Sequence, residues 1–235
     1  MIINTGMRTD IPAFYADWFF NRLEKGYSSW TNPFNGVDSY ISYEKTRLIV
    51  FWSKNPRPLL NYLHILKEKD INLEIAGYLK DYLIAQDYTV YLTRSTDCGL
   101  YNENASNKKS SDLRNRVQFF QEKNAYLVVS LHQNSYSDSF QHGAQTFYHS
   151  SGTSSKQLAE IIQASLLNID NTNTRTAKSS DSYYILKNSS MPAVIVECGF
   201  LSNPEETAKL TDPNYQKKLA YAISLGICEY DNTAD

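Results

Sequence analysis

The chain has 235 residues, of which 42% are apolar and 20% charged, and its formal net charge is −2. This is the composition of a globular protein with one sizeable core, and it excludes the basic surface that binding to nucleic acid needs. No run of 18 apolar residues offers a membrane span, and Cys98, Cys198 and Cys228 are odd in number and without CxxC spacing, so neither a disulfide framework nor a cysteine-based zinc site is expected.

Residues 1–60 are aromatic-rich and punctuated by Asn32-Pro33 and Asn55-Pro56. The first residues lack a charged segment followed by an apolar run, so no export signal is expected in this sequence. Residues 11–25 (IPAFYADWFFNRLEK) read as an amphipathic helix ended by Gly26, and residues 47–52 (RLIVFW) as a buried strand.

From Leu59 a helical pattern sets in, with Leu63, Leu66, Ile71, Ile75, Leu79 and Leu83 at spacings of three to five, and it runs to about Gln86. Residues 90–93 read as a strand, residues 102–111 as a polar loop, and residues 112–123 as a helix. A second apolar strand covers residues 125–131 and a short one residues 145–148. A helix follows at 155–167, then a strand at 182–186. After Pro192, residues 193–196 form an apolar, β-branched run of the kind found in strands covered on both faces. A closing helix spans 213–230. Because helices and strands alternate, the pattern predicts a layered α/β domain over residues 61–232, with a largely parallel twisted sheet flanked by helices and an atypical amino-terminal segment, residues 1–60, before it. The 18 tyrosines and 10 phenylalanines could line a carbohydrate or peptide groove, or could be half-buried strand residues.

The stretch MPAVIVECGFLSNPEE, residues 191–206, places Glu197 at the exit of its strand, where open α/β sheets present their ligands; Gly199 and Asn203-Pro204 then supply a turn before a helix. A merely solvated strand-end carboxylate fits the pattern as well. His132 also ends a strand, LVVSLHQN, and could be a hydrogen-bonded structural residue. Glu68 opens EKDINLEIAGYLKDYL, where a first-turn acid is favoured by the helix dipole. Taken together, one His and two Glu are the residue types of a hydrolytic zinc site: imidazole and carboxylate hold the metal, and a separate carboxylate accepts a proton from its water.

Two resemblances run through the sequence. MIINTGMRTDIPAFYADWFFNRL, NPFN and IVFWSKNPRPLL resemble the start of a bacterial family of unknown function, over about the first 70 residues. EKDINLEIAGYLKDYL, YTVYLTRSTD, DLRNRV, LVVSLHQN, GAQTFY, SSKQLAEIIQASL, YYILKNSSMPAVIVECGFLSNPEE and DPNYQKKLAYAI resemble the zinc-dependent N-acetylmuramoyl-L-alanine amidases of the family-3 type, and within them the spore germination-specific amidases, over residues 68–230. The second resemblance implies that Glu68 and His132 are zinc (Zn2+) ligands, that Glu197 is the catalytic carboxylate and that Arg116 is structural. It also implies peptidoglycan as substrate, with action outside the cytoplasmic membrane, at the cell wall.

The sequence departs from that family at its start. The family opens with a strand and a GHGG-like turn whose His is a third ligand, and nothing of that form precedes Glu68. SKNPRPLLNYLHILK stands there instead, and the two resemblances overlap across EKDIN, residues 68–72. Residues 47–52 are expected to take the place of the missing strand, and His64, four residues before Glu68, is a candidate replacement ligand if one helix carries both. His142 and His149 are expected to be non-ligands. Two functions follow: a zinc amidase cleaving the bond between N-acetylmuramic acid and L-alanine, or a catalytically inactive amidase fold that binds cell-wall glycan or a partner.

Overall fold

The computed structural model describes residues 57–233 continuously and, before them, the short strands at residues 2–3, 30–31, 38–40 and 50–52; side chains are described from residue 68. The chain divides into two compact units, Met1–Thr5 with Lys67–Asp235, and Gly6–Leu66. Residues 11–25, read above as a helix, lie outside the described residues.

In the second of these units, β2 (Trp30–Thr31), β3 (Asp38–Tyr40) and β4 (Val50–Trp52) form a three-stranded sheet in that order, with both pairings antiparallel. This overturns the expectation for residues 47–52. Val50–Trp52 finds its partner in Asp38–Tyr40, close to it in sequence, and closing a short separation costs less entropy than reaching a strand far along the chain. The edge of the larger unit's sheet is held instead by β1 (Ile2–Ile3), which runs parallel to Ser130 and Leu131.

The larger unit is built on a five-stranded sheet in the order β1-β5-β8-β6-β7, where β5 is Val128–Asn134, β6 Gln145–Tyr148, β7 Lys178–Ser179 and β8 Ala193–Phe200. β1 with β5, β5 with β8 and β6 with β7 are parallel; β6 against β8 is antiparallel. The helices of this unit are α1 (Arg57–Ile84) from Lys67 onward, α2 (Lys108–Glu122), α3 (Thr153–Leu167), the short α4 (Tyr184–Asn188), α5 (Pro204–Leu210) and α6 (Pro213–Thr233). Among the described residues no helix is long and apolar enough to cross a membrane.

Every residue of β8 is buried, so its side chains alternate between two cores rather than between core and solvent. Val194, Val196 and Cys198 join Val129 and Leu131 of β5 in a core closed by Ile71, Ile75 and Leu79 of α1, Leu158 and Ile162 of α3, and Leu219 and Ile223 of α6. Ala193 and Ile195 join Val128 in a smaller core under Val117 and Phe120 of α2 and Ile185 and Leu186 of α4. The two-residue period therefore carries His132 and Glu197 toward the face of the smaller core.

Two expected strands are absent. Residues 90–93 join no ladder, although Thr93 is buried and its hydroxyl accepts a hydrogen bond from Arg116 Nη1 at 2.6 Å. Residues 184–188, within and beyond the expected strand at 182–186, form α4, which seats Ile185 and Leu186 side by side in the smaller core. At the start of α5, Pro204 fills the first helical position and the Asn203 side chain accepts from the Glu205 and Glu206 amides at 2.9 and 3.2 Å, as the Asn-Pro signal implied.

Candidate active site

β5 and β8 run side by side in the same direction, and their register sets His132 opposite Glu197. Two residues far apart in the sequence therefore become lateral neighbours, and neither ends its strand as expected: β5 runs on to Asn134 and β8, still buried, to Phe200. Glu68 reaches the same place from α1. Its Oε1 stands 3.2 Å from His132 Nδ1 and accepts from the Gln133 amide at 3.4 Å and the Asn72 Nδ2 at 3.5 Å. Asn72 lies one helical turn after Glu68 and accepts from Gln133 Nε2 at 3.0 Å, so α1 and β5 are tied by two adjacent polar contacts. The structure thus brings together Glu68, His132 and Glu197.

One detail of Glu68 differs from its sequence reading. The helix begins at Arg57, about three turns earlier, so the helix dipole is not what favours a carboxylate there. His132, the Gln133 amide and Asn72 do so instead. The same helix carries His64, so the continuous-helix condition for that candidate ligand is met; its side chain lies outside the described residues.

The three groups differ in their surroundings. The Glu68 side chain is 28% exposed and that of His132 14%, so the pair opens toward solvent, whereas Glu197 is 6% exposed. Burial pushes the Glu197 carboxyl above the ordinary carboxylate range; the His132 charge pulls it down, Glu68 pushes it further up, and a hydrogen bond from Tyr183 pulls down again, leaving it raised. For Glu68 burial also pushes upward, but the His132 hydrogen bond and charge, together with the Gln133 amide and Asn72, outweigh it and hold the carboxyl low. Burial works against the charged form of His132, yet the Glu68 hydrogen bond and the two carboxylate charges raise it overall.

Glu197 is also asymmetric. Oε1 accepts a hydrogen bond from the Tyr183 hydroxyl at 3.3 Å, while Oε2 is buried with no hydrogen-bond partner. An unsatisfied buried carboxylate oxygen is costly, and such groups concentrate where a reaction uses them. Tyr183, Gln133 and Asn72 were not singled out from the sequence. Tyr183 lay hidden inside a stretch read as strand, and the only local signal was an aromatic pair just ahead of the buried run.

Behind the site, Arg116 is fully buried and ion-paired with Asp112 one turn earlier on α2; Asp112 Oδ1 also accepts from the Leu100 amide at 2.6 Å. The spacing of four in DLRNRV was the sequence signal for this pair. His142 and His149 are engaged elsewhere: His142 contacts the Phe140 and Thr172 carbonyls, and His149 contacts Ser151 and Asp181.

Residues 62–229 match the family model described as N-acetylmuramoyl-L-alanine amidase. The chain belongs to that amidase family. The germination-specific N-acetylmuramoyl-L-alanine amidase of Bacillus subtilis (strain 168) is 39% identical over 169 residues, covering 70% of this chain and 71% of that protein. Among solved structures, the CwlD amidase of Clostridioides difficile in complex with the GerS lipoprotein is 41% identical with a TM-score of 0.68, covering 71% of this chain and 87% of that one. The catalytic domain of CwlV, an N-acetylmuramoyl-L-alanine amidase from Bacillus (Paenibacillus) polymyxa var. colistinus, is 30% identical with a TM-score of 0.62, covering 70% and 85%. A second model, a domain of unknown function (DUF1848), matches residues 2–96, so the two matches overlap from residue 62 to residue 96.

For an amidase of this family the metal question turns on the donor set. Glu68 and His132 offer an oxygen and a nitrogen at one spot, which suits zinc, and the orphaned Glu197 oxygen beside them suits a base. Hydrolytic zinc sites take three protein ligands, however, and among the described residues no group of three or more His, Cys, Asp or Glu could hold an ion.

Proposed function

We propose that this chain cleaves the amide bond between N-acetylmuramic acid and L-alanine in peptidoglycan, with Glu197 as general base, and that it acts at the cell wall. The observation that carries this reading is the buried, unpartnered Oε2 of Glu197, the residue whose register partner on β5 is His132. Glu68 and His132 would hold zinc. When bound, the metal polarises the scissile carbonyl and lowers the pKa of a water.

The chain's own residues do the rest. Glu197 has its affinity for a proton raised by burial, so it can take one from the attacking water and return it to the leaving amine. Glu68, bonded to the Gln133 amide and Asn72, ties this turn of α1 to β5 and orients the imidazole of His132.

A second reading, an amidase fold that binds cell-wall glycan without cleaving it, is favoured by one observation, the two-residue donor set among the described residues. Zinc content after dialysis against a weak chelator separates the two. About one zinc per chain, lost in His132→Ala, together with release of free L-alanine amino termini from cell-wall sacculi, supports the enzyme. A chain that keeps no zinc and releases none supports the second reading.

A further inference from the structure

Within the amidase reading, on which this inference rests, the least expected neighbour of Glu197 is Tyr183. It caps the amino terminus of α4 in extended conformation, with φ −80° and ψ 118°. Its ring packs at 5.7 Å between centroids against Phe147 of β6, the strand on the far side of β8 from β5. The phenol thus reaches Glu197 from the side opposite His132, braced by a ring contact that does not involve the site.

A carboxylate has two chemically equivalent oxygens and turns freely unless one is held. Here Oε1 accepts the Tyr183 hydroxyl at 3.3 Å, and Oε2 is buried without a partner. We propose that Tyr183 is a positioning residue that fixes the Glu197 carboxylate by Oε1 and so leaves Oε2 as the oxygen that receives the proton. The O–H of the attacking water breaks as its oxygen bonds to the carbonyl carbon, the proton passes to Oε2, and it moves on to the amine nitrogen as the C–N bond breaks. Tyr183 donates its hydrogen bond throughout and exchanges no proton. Burial, reinforced by the Glu197 charge, pushes its phenol well above the ordinary tyrosine range, so it stays protonated wherever the enzyme works.

Tyr183→Phe removes the hydroxyl and keeps the ring against Phe147. The expected kinetic result on a soluble muropeptide is a fall in kcat of about ten-fold or more with KM unchanged within about two-fold, since binding is left alone and only the base is loosened. Glu197→Met, similar in length but with only a weak thioether acceptor in place of the carboxylate, gives the second arm, read as melting midpoint and needing no turnover. Tyr183→Phe is expected to shift the midpoint of the parent and to leave that of the Met background unmoved. Equal shifts in both backgrounds would overturn the contact, and an unchanged kcat would overturn the positioning role. Should the parent show no turnover, the amidase reading falls while the midpoint cycle still decides whether Tyr183 holds Glu197.

Discussion

Glu197 and His132 face each other as register partners on adjacent parallel strands, yet only Glu197 carries a buried oxygen that nothing satisfies. His132 has Glu68 at 3.2 Å. The pairing therefore divides the labour of the site: an engaged imidazole on β5 beside a carboxylate on β8 whose second oxygen stays open.

This arrangement gives Glu197→Gln an opposed effect on activity and stability. Turnover should fall by about 10²–10⁴, the usual worth of a positioned general base. Stability at neutral pH should rise. A carboxyl whose folded pKa lies above its unfolded value binds its proton more tightly in the native state, so native stability is greatest below the unfolded pKa and is lost as pH rises through the folded one. Glutamine does not titrate; it also removes the Glu197 charge that helps raise His132, an effect smaller than the burial that dominates Glu197. The difference in melting midpoint should therefore be near zero at about pH 4 and grow in favour of glutamine toward pH 7. A glutamine variant less stable than the parent at pH 7 contradicts this.

The buried ion pair behind the site makes a separate prediction. Arg116 is fully buried, and Asp112 answers both its charge and the Leu100 amide. Asp112→Asn leaves a guanidinium without its counter-charge, a loss of about 3–5 kcal/mol in buried pairs. Urea unfolding should report a drop of that order, with turnover at low temperature little changed. A loss below about 1 kcal/mol would mean that other partners of Arg116 carry its charge.

Glu206 tests a structural carboxylate by the same logic. It is buried on α5, and its Oε2 accepts from the Gly143 amide at 2.9 Å and the Phe200 amide at 3.0 Å, which pins the turn before β6 to the end of β8. Glu206→Leu should cost about 2–4 kcal/mol, because two buried amides lose their acceptor at once. Denaturant midpoints measure it, and a near-neutral result would show that water replaces the carboxylate.

What could be read from the sequence follows from how local each cause is. The spacing from Leu59 to Leu83 sets one face of α1, and the apolar run from Ala193 sets β8, because each pattern is complete within its own segment. His132 and Glu197 were legible because each polar residue interrupts an apolar run, a local feature, although β5 continues to Asn134 and β8 to Phe200, so neither ends its strand. Their adjacency was not, since register between β5 and β8 is a relation between distant segments. Tyr183 was missed because a β-branched and aromatic stretch took helical form, with Ile185 and Leu186 packed into the smaller core. Residues 90–93 fail as a strand for a related reason: local pattern proposes a ladder, and only a neighbour can complete it. Val50–Trp52 had the right composition for the sheet edge and found a nearer partner instead.

The last prediction concerns Gly226, inside α6. In an exposed helix interior, Gly→Ala stabilises by about 1 kcal/mol, because alanine has less backbone freedom to lose. Here α6 lies against α3, and a Cβ at position 226 would meet the Ile162 Cα at 2.8 Å and the Ile162 amide nitrogen at 3.3 Å. Backbone cannot swing aside as a side-chain tip can, so the helices must separate, and overpacking of this kind costs about 1–3 kcal/mol. Around this spot the packing is dense: Ile162, Leu166, Ile223 and Ile227 are all buried in the larger core. The steric cost should therefore exceed the propensity gain, and Gly226→Ala should lower the melting midpoint, with Gly226→Ser lowering it at least as far. Gly77 in α1 is the internal control: a Cβ there meets nothing within 4 Å, so Gly77→Ala should raise the midpoint by the ordinary helical increment. If both alanine variants stabilise, the close approach of α3 and α6 at Ile162 is not what keeps glycine at position 226.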